Sequence, residues 1–320
     1  MLRSTMIYLS KANWARNVVT NWEFAWRAAS RFVAGETLEE AIAAVQGLNQ
    51  KGIYATLGHL GEHTTNPDEA CSATQDILKL LDGIQISGVQ SNISLKLTQI
   101  GMGLDEDLAG ENLRTIVSHA GRYGIFVRID MEDATCVDPT LNLYRRLRQD
   151  YGLDNVGVVI QAYLYRSEED IRRIMAEGGK VRLCKGAYQE SADIAYPDKS
   201  DVDASYDRLT AQLIDGSLAN GSPRASEDGK APAIPALATH DPLRIEFAKD
   251  YAGRVGLPRR ALEFQMLYGI RRDLQEQAVQ EGYPVRVYVP YGSQWYPYYC
   301  RRLAERPSNV WFFVSNALRN

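Results

Sequence analysis

The sequence contains little cysteine, and it has neither a long apolar run nor an excess of positive charge. Its four cysteines, Cys71, Cys136, Cys184 and Cys300, are far apart and form no Cys-x-x-Cys pair, which argues against a disulfide framework and against a zinc site. The net charge of -4 argues against a nucleic-acid partner. No apolar run reaches the roughly 18 residues of a membrane span, and the N-terminus has no signal-peptide core. We therefore expect a globular cytoplasmic protein.

The length and the first residues bear on the number of domains. At 320 residues the chain is longer than the roughly 250 residues of a single (βα)8 barrel, so one domain with extra helices and two domains are both compatible with it. Trp14, Trp22 and Trp26 recur at nearly helical spacing in a segment without a strand pattern. We therefore predict a helical arm over residues 1–34, followed by one catalytic domain over residues 35–320.

Eight short apolar runs alternate with helical segments after this arm. The predicted strands cover residues 53–57, 93–97, 125–130, 156–161, 181–185, 234–238, 262–266 and 285–289. This alternation is typical of the α/β class and predicts a closed parallel (βα)8 barrel. An open doubly wound sheet is the alternative, and the absence of a Gly-x-Gly-x-x-Gly motif after any strand disfavours it. The Gly-, Ser- and Pro-rich segment 220–232 is predicted to be a solvated connection.

Most of the predicted strands end on a polar or charged side chain. The groups at these ends are, in order, Lys96, Asp130, Gln161, Lys185, Thr239, His240, Gln265 and Tyr288. In a (βα)8 barrel the C-terminal strand ends surround the active site, so these groups are expected to converge around one ligand. The fifth strand contains two cations, Arg182 and Lys185, whose alternative role is a structural ion pair at the strand edge.

Six motifs lie on these strand ends and on the last helix. They are Ile-Ser-Leu-Lys-Leu-Thr, Val-Arg-Ile-Asp-Met-Glu, Val-Arg-Leu-Cys-Lys-Gly-Ala-Tyr, Ala-Thr-His-Asp, Glu-Phe-Gln-Met-Leu-Tyr-Gly, and Tyr-Val-Pro-Tyr-Gly with Tyr-Tyr-Cys-Arg-Arg-Leu-Ala-Glu-Arg. In this order they resemble the monofunctional bacterial proline dehydrogenases, over about residues 35–309. Cys184 stands where this family more often has valine, and Gln189 stands where some members have tryptophan.

The resemblance implies a distorted (βα)8 barrel that binds FAD without a Rossmann domain. It implies the oxidation of L-proline to Δ1-pyrroline-5-carboxylate, the first step of proline degradation to glutamate, by hydride transfer from C5 of proline to N5 of the flavin. It further implies a quinone as electron acceptor. Such an acceptor would require a peripheral contact with the inner face of the membrane.

The resemblance also implies which residues bind the substrate. Arg301, Arg302 and Lys96 would hold the proline carboxylate, because guanidinium forks match carboxylate geometry. Asp130 and Glu305 would balance these cations. The wall around the proline ring would be formed by Leu183, Tyr188, Tyr288 and Tyr298.

A second set of residues is implied for the flavin. Its members are Met131, Gln161, Arg182, Lys185, Gly186, Ala187, Thr239, His240 and Gln265, with Glu263 as a weaker candidate. Arg182 would lie beside N5 and stabilise negative charge on the reduced ring, which makes Arg182 and Asp130 the catalytic candidates. Glu62 matches a Gly-Glu pair in the family's first loop and is predicted to pair with Arg182 across the bound ligand and so to act as a gate.

Two other classes of function remain compatible with lysines at strand ends. A Schiff-base lyase would use Lys96 or Lys185 and would need that amine to be neutral. The neighbouring Asp130 disfavours this alternative, because a carboxylate keeps a lysine charged. A non-catalytic binding barrel is the other alternative, and the convergence of so many charged groups disfavours it.

Overall fold

The computed structural model describes Trp26 and residues 29–305, the last two of these only as part of the final helix. Its helices are α1 Leu38–Asn49, α2 Pro67–Ser87, α3 Glu106–Arg122, α4 Val137–Gln149, α5 Ser167–Ala176, α6 Lys199–Ala219, α7 Pro242–Val255, α8 Arg272–Gln280 and α9 Trp295–Glu305. Its strands are β1 Tyr54–His59, β2 Ser91–Leu95, β3 Val127–Ile129, β4 Val156–Gln161, β5 Val181–Cys184, β6 Ala236–Ala238, β7 Glu263–Leu267 and β8 Val285–Tyr291. The predicted helix over the first 33 residues lies for the most part outside the described residues.

The eight strands form a closed parallel barrel in the order β1 to β8, with β8 pairing again with β1. This confirms the predicted α/β barrel. The strands are almost fully buried because each is covered by the barrel interior on one face and by helices on the other. Every polar strand end therefore reaches the same side of the barrel, where the loops into the following helices lie.

Local sequence explains where several helices begin. Thr37 and Glu40 form a capping box at the start of α1. The Ser167-Glu168-Glu169-Asp170 sequence predicts a cap at Ser167, but the N-cap of α5 is Arg166. The Ser167 hydroxyl instead donates to the carbonyl of Gln161 at 2.6 Å and so anchors the helix to the end of β4.

The segment 220–232, predicted to be a solvated connection, lies against the N-terminal end of the barrel. The Lys230 carbonyl accepts a hydrogen bond from the Phe126 backbone N–H at 3.1 Å, and the Gly229 carbonyl accepts one from Arg286 Nη1 at 2.7 Å. A side chain at Gly229 would collide with Tyr54, where a Cβ would lie 2.7 Å from the ring. Glycine therefore allows this segment to pack against the barrel, a contact between distant residues that composition does not reveal.

The end of the predicted arm packs against the last helix. Ala29 and Val33 are buried and share a hydrophobic cluster with Trp295, Tyr299 and other residues of α9. The Trp26 ring lies 5.5 Å from the Trp295 ring. The described part of the arm thus packs in the same cluster as α9, which also contains the cavity-lining Tyr298.

Candidate active site

The C-terminal ends of the strands surround a cavity of about 560 Å³. Most of the predicted site residues line it, namely Lys96, Asp130, Met131, Gln161, Arg182, Lys185, Gly186, Ala187, Tyr188, Thr239, His240, Gln265, Tyr288, Tyr298, Arg301 and Arg302. The sequence did not single out the lining residues Val159, Ala238, Asp241, Met266 and Leu267. Four of them had a signal, because Ala238 and Asp241 lie in the Ala-Thr-His-Asp motif and Met266 and Leu267 lie in the Glu-Phe-Gln-Met-Leu-Tyr-Gly motif, whereas Val159 lies in none of the motifs.

The prediction that Leu183 forms part of the cavity wall is wrong. It is fully buried in the hydrophobic core, whereas its neighbours Arg182 and Cys184 line the cavity. Successive side chains of a strand point to opposite faces, so one strand cannot present all three residues to the cavity. The side chain of Glu305, predicted as a counter-charge, lies outside the described residues.

Glu62 is paired with the last helix rather than with the fifth strand, so the predicted Glu62–Arg182 pair is wrong. Arg301 Nη1 donates to Glu62 Oε2 at 2.9 Å, and Nη2 donates to the other carboxylate oxygen in a bidentate pair. Lys96 Nζ lies 3.5 Å from Glu62 Oε1. Burial alone would raise the pKa of Glu62, but the two cations hold it below its usual value. Glu62 is therefore the counter-charge of this side of the cavity.

Lys96 is a charged lysine in this arrangement. Burial alone would lower the pKa of its ammonium, but Glu62, with smaller contributions from Tyr288 and Asp130, raises that pKa above its ordinary value. The ammonium of Lys185 lies 2.7 Å from Asp241 Oδ2 and also contacts Asp203. Both lysines thus lie beside carboxylates, which disfavours the neutral amine that a Schiff-base lyase requires.

A second ion pair lies deeper, across the barrel mouth. Arg182 Nη1 donates to Asp130 Oδ1 at 2.9 Å, and Arg182 Nε donates to Gln265 Oε1. The Ser94 hydroxyl donates to the same Asp130 oxygen. The two neighbouring side chains, Gln265 and Ser94, therefore fix the Arg182 guanidinium and the Asp130 carboxylate in one orientation.

Gln265 connects this pair to the bottom of the barrel. Its Nε2 donates to Glu263 Oε1 at 2.6 Å, and Arg286 Nε donates to the same oxygen at 2.8 Å. Glu263 and Arg286 are almost fully buried, and neither lines the cavity. The weaker flavin candidate Glu263 therefore lies one layer below the site, where it supports Gln265.

The aromatic wall depends on a glycine in β1. A Cβ at Gly58 would lie 2.4 Å from the hydroxyl oxygen of Tyr288, which is closer than real contacts allow. Tyr288 in turn lies beside Tyr298, with ring centroids 6.3 Å apart. Burial raises the pKa of Tyr288, so its phenol stays protonated near neutral pH.

Replacing Gly58 with alanine should displace Tyr288 from the cavity wall. We expect a loss of about 1–3 kcal/mol in the free energy of unfolding, as for overpacked cores, together with a higher KM for the substrate. Gly47→Ala is the matched control, because a Cβ at that helix position meets nothing within 4 Å. Urea unfolding and steady-state kinetics on both variants check this, and equal effects of the two changes would contradict it.

The opposite side of the cavity is lined by an unpaired polar acceptor and by exposed backbone. Gln161 Oε1 is a buried acceptor without a hydrogen-bond partner among the described residues, so it can accept from a ligand N–H group. Gly186 has φ +110, and a Cβ there would lie 2.3 Å from the Tyr163 ring. Its bare backbone therefore borders the cavity. His240 Nε2 accepts from the Leu267 backbone N–H at 2.9 Å, which fixes the ring at the cavity edge.

Comparison with known proteins shows which family the chain belongs to. Residues 41–314 match the proline dehydrogenase family. A proline dehydrogenase of Deinococcus radiodurans is 43% identical over 297 residues, which cover 92% of this chain and 91% of that protein. Proline dehydrogenase 1 of Bacillus subtilis is 40% identical over 323 residues, which cover 100% of both chains.

Solved structures show the same fold. The proline utilization A protein of Bdellovibrio bacteriovorus, inactivated by N-propargylglycine, superposes with a TM-score of 0.78 at 25% identity. The superposition covers 88% of this chain and 33% of that longer protein, so the chain corresponds to about a third of its length. The match over most of the chain, the close relatives and the site geometry lead to one assignment: the chain belongs to the proline dehydrogenase family, whose members are FAD-dependent oxidoreductases that act on proline.

Proposed function

We propose that this cavity holds L-proline by its carboxylate between Arg301, Arg302 and Lys96, with the ring against Tyr188, Tyr288 and Tyr298. The single observation that supports this most strongly is the arrangement of Arg301 and Lys96 around one carboxylate, that of Glu62. A bidentate guanidinium and an ammonium that already bind a carboxylate have the geometry to bind a second one. The tyrosines would exclude water from the ring and present its C5 side to the opposite face of the cavity.

The flavin would lie on that opposite face, against Gln161, Lys185, Gly186 and Ala187, with further contacts from Met131, Thr239, His240 and Gln265. When bound, the flavin supplies the acceptor for the hydride that leaves C5 of proline. Arg182 would hold a positive charge at this face, and Asp130 would keep its guanidinium oriented. The orphan acceptor Gln161 Oε1 supports this placement.

The test is spectroscopic. The purified protein should be yellow with a flavin spectrum, and L-proline should bleach that spectrum when oxygen is absent. A colourless protein that takes up no added FAD would contradict the cofactor assignment. Flavin that L-proline leaves oxidised would contradict the substrate assignment.

We propose that Glu62 acts as a gate of the cavity through its ion pair with Arg301 rather than through a pair with Arg182. Glu62→Ala removes the carboxylate that orients the Arg301 fork, so we expect kcat/KM for proline to fall about tenfold while flavin binding stays near wild type. The measurements are steady-state kinetics and the flavin-to-protein ratio. If the kinetics of this variant match those of the wild type, Glu62 does not act as a gate.

Proline dehydrogenases in general use a quinone as electron acceptor. Because such an acceptor lies in the membrane, we propose that this chain makes a peripheral contact with the inner face of the membrane. None of the helices in the described part of the chain combines the length and the apolar character of a transmembrane span. Turnover with a soluble quinone and with oxygen, each with and without lipid vesicles, tests the contact. Vesicles that neither bind the protein nor raise its turnover with a membrane-embedded quinone would contradict it.

Residues 35–320 are proposed to form the FAD-binding domain without the arm. Every matched motif lies after residue 35, and none of the described arm residues lines the cavity. A truncated chain that begins at Gly35 should therefore retain flavin. If it folds, as judged by circular dichroism, and yet binds no FAD, the arm belongs to the cofactor site.

A further inference from the structure

A buried carboxylate lies behind the proposed substrate side of the cavity. Glu132 follows Asp130 by two residues, is 4% exposed and is not among the residues that line the cavity. Its Oε1 accepts from the Thr98 backbone N–H at 3.0 Å, and its Oε2 accepts from the Thr98 hydroxyl at 2.6 Å. Both carboxylate oxygens are therefore directed at a single residue.

Thr98 belongs to a buried 3-10 turn, Leu97–Ile100, that begins directly after Lys96. Its carbonyl accepts from the Thr64 backbone N–H at 3.2 Å and from the Thr64 hydroxyl at 3.1 Å. Its hydroxyl oxygen also accepts from the His63 backbone N–H at 3.4 Å. Thr98 thus contacts the loop next to Glu62 and lies two residues from Lys96. It joins the two segments that provide the carboxylate-binding charges.

The burial of Glu132 is unfavourable by itself. Desolvation raises the pKa of this carboxyl, and the nearby Glu62 adds to that effect, whereas Thr98 and Lys96 oppose it. An acid that only filled space here would be better replaced by an apolar side chain. Its backbone carbonyl accepts from Gln161 Nε2 at 3.1 Å, so the same residue is also joined to the opposite side of the cavity.

We propose that Glu132 is a positioning residue for the substrate carboxylate: by fixing Thr98, it sets the separation between Lys96 and the Glu62–Arg301 pair. This inference rests on the proposed function, in which Arg301 and Lys96 bind the carboxylate of proline. The Glu132 carboxylate accepts its hydrogen bonds from Thr98, so Glu132 acts on the substrate site through that residue.

The test uses Glu132→Gln and Thr98→Val in the full-length flavin-loaded enzyme. Thr98→Val removes the hydroxyl that donates to Glu132, and Glu132→Gln replaces the charged acceptor of that bond with an uncharged amide, both with nearly preserved volume. We expect each to raise KM for L-proline about tenfold and to change kcat by less than about twofold, with an unchanged flavin-to-protein ratio. The double variant should be no worse than either single variant, because both remove the same interaction. Thr98→Ser, which keeps the hydroxyl, should restore the wild-type KM.

A pair of inhibitors separates positioning from general loosening of the fold. Cyclopentanecarboxylate has the ring and the charge, whereas cyclopentanecarboxamide has the same ring without the charge. Thr98→Val and Glu132→Gln should raise the inhibition constant of the acid about tenfold and leave that of the amide unchanged. Glu111→Gln and Thr115→Val, at exposed sites of α3, are the matched controls and should change neither constant.

The outcomes distinguish this inference from the proposed function. If Arg301→Met raises KM for proline and the two test variants do not, Glu132 is not a positioning residue and the proposed function stands. If Arg301→Met itself leaves KM unchanged, the carboxylate site is misplaced and both proposals fail. Equal losses for the acid and the amide inhibitor would show that Glu132 only stabilises the fold, which overturns the inference. If Glu132→Gln does not fold, Thr98→Val and Thr98→Ser decide the result.

Discussion

Arg301→Met should raise KM for L-proline about ten- to a hundredfold while the flavin content stays near that of the wild type. The change removes a charge-assisted hydrogen bond of roughly 1.5–3 kcal/mol, and it does so at the guanidinium that already binds the Glu62 carboxylate. Methionine preserves much of the side-chain length, so the cavity wall should stay closed. The loss should therefore appear as weaker substrate binding.

Arg302→Met should act in the same direction. Adjacent residues leave a helix about 100° apart, so two neighbouring arginines reach one carboxylate only if the helix presents an edge to the site. The structure meets this condition, since both arginines line the cavity. The Arg302 guanidinium also lies over the Tyr298 ring at 5.1 Å, so this variant loses support for the aromatic wall as well.

The measurement is kcat/KM for proline beside the flavin-to-protein ratio in each variant. Arg272→Met is the matched control, because Arg272 is exposed at the start of α8 and is not a lining residue. Normal proline kinetics in both variants, or loss of FAD instead of proline affinity, would show that α9 does not hold the substrate carboxylate.

Glu263→Ala should lower the free energy of unfolding by about 3–5 kcal/mol, the usual cost of breaking a buried ion pair by removing one partner. Arg286 is 1% exposed, and its Nε and Nη2 both donate to Glu263. Gln265 Nε2 and the Ala233 backbone N–H also donate to this carboxylate. Removing it leaves four buried donors without their acceptor.

Urea unfolding of the Glu263→Ala variant checks this expectation. The control is Glu276→Ala, which removes an exposed pair with Lys51 and should change stability by less than about 1 kcal/mol. Similar destabilisation by the two changes would contradict the role given to Glu263. Because Gln265 also holds Arg182, the Glu263 variant should lose activity along with stability, whereas the control should not.

The strand ends show how much of the fold and of the site can be predicted from periodicity and motif order. Short apolar runs that alternate with helices predict a closed barrel because a parallel strand needs a crossover connection, and eight such units close on themselves. The polar residues that end these runs, such as Lys96, Asp130 and Gln161, then have to meet at the barrel mouth. Chain order alone is enough for that inference, whereas the roles of residues such as Arg301 and Tyr298 were implied by the resemblance to the proline dehydrogenases.

The partner of each side chain depended on three-dimensional packing. Glu62 and Arg301 are 239 residues apart in the chain, and no local pattern relates them. Leu183 is an apolar residue in the correct motif, but strand register points it into the core while Arg182 faces the cavity. The sequence by itself determined the barrel and the polar groups at its strand ends, because these depend on local periodicity and chain order. Only the tertiary structure decided which groups form ion pairs and whether each side chain points into the cavity or into the core. These features depend on strand register and on contacts between residues distant in the chain.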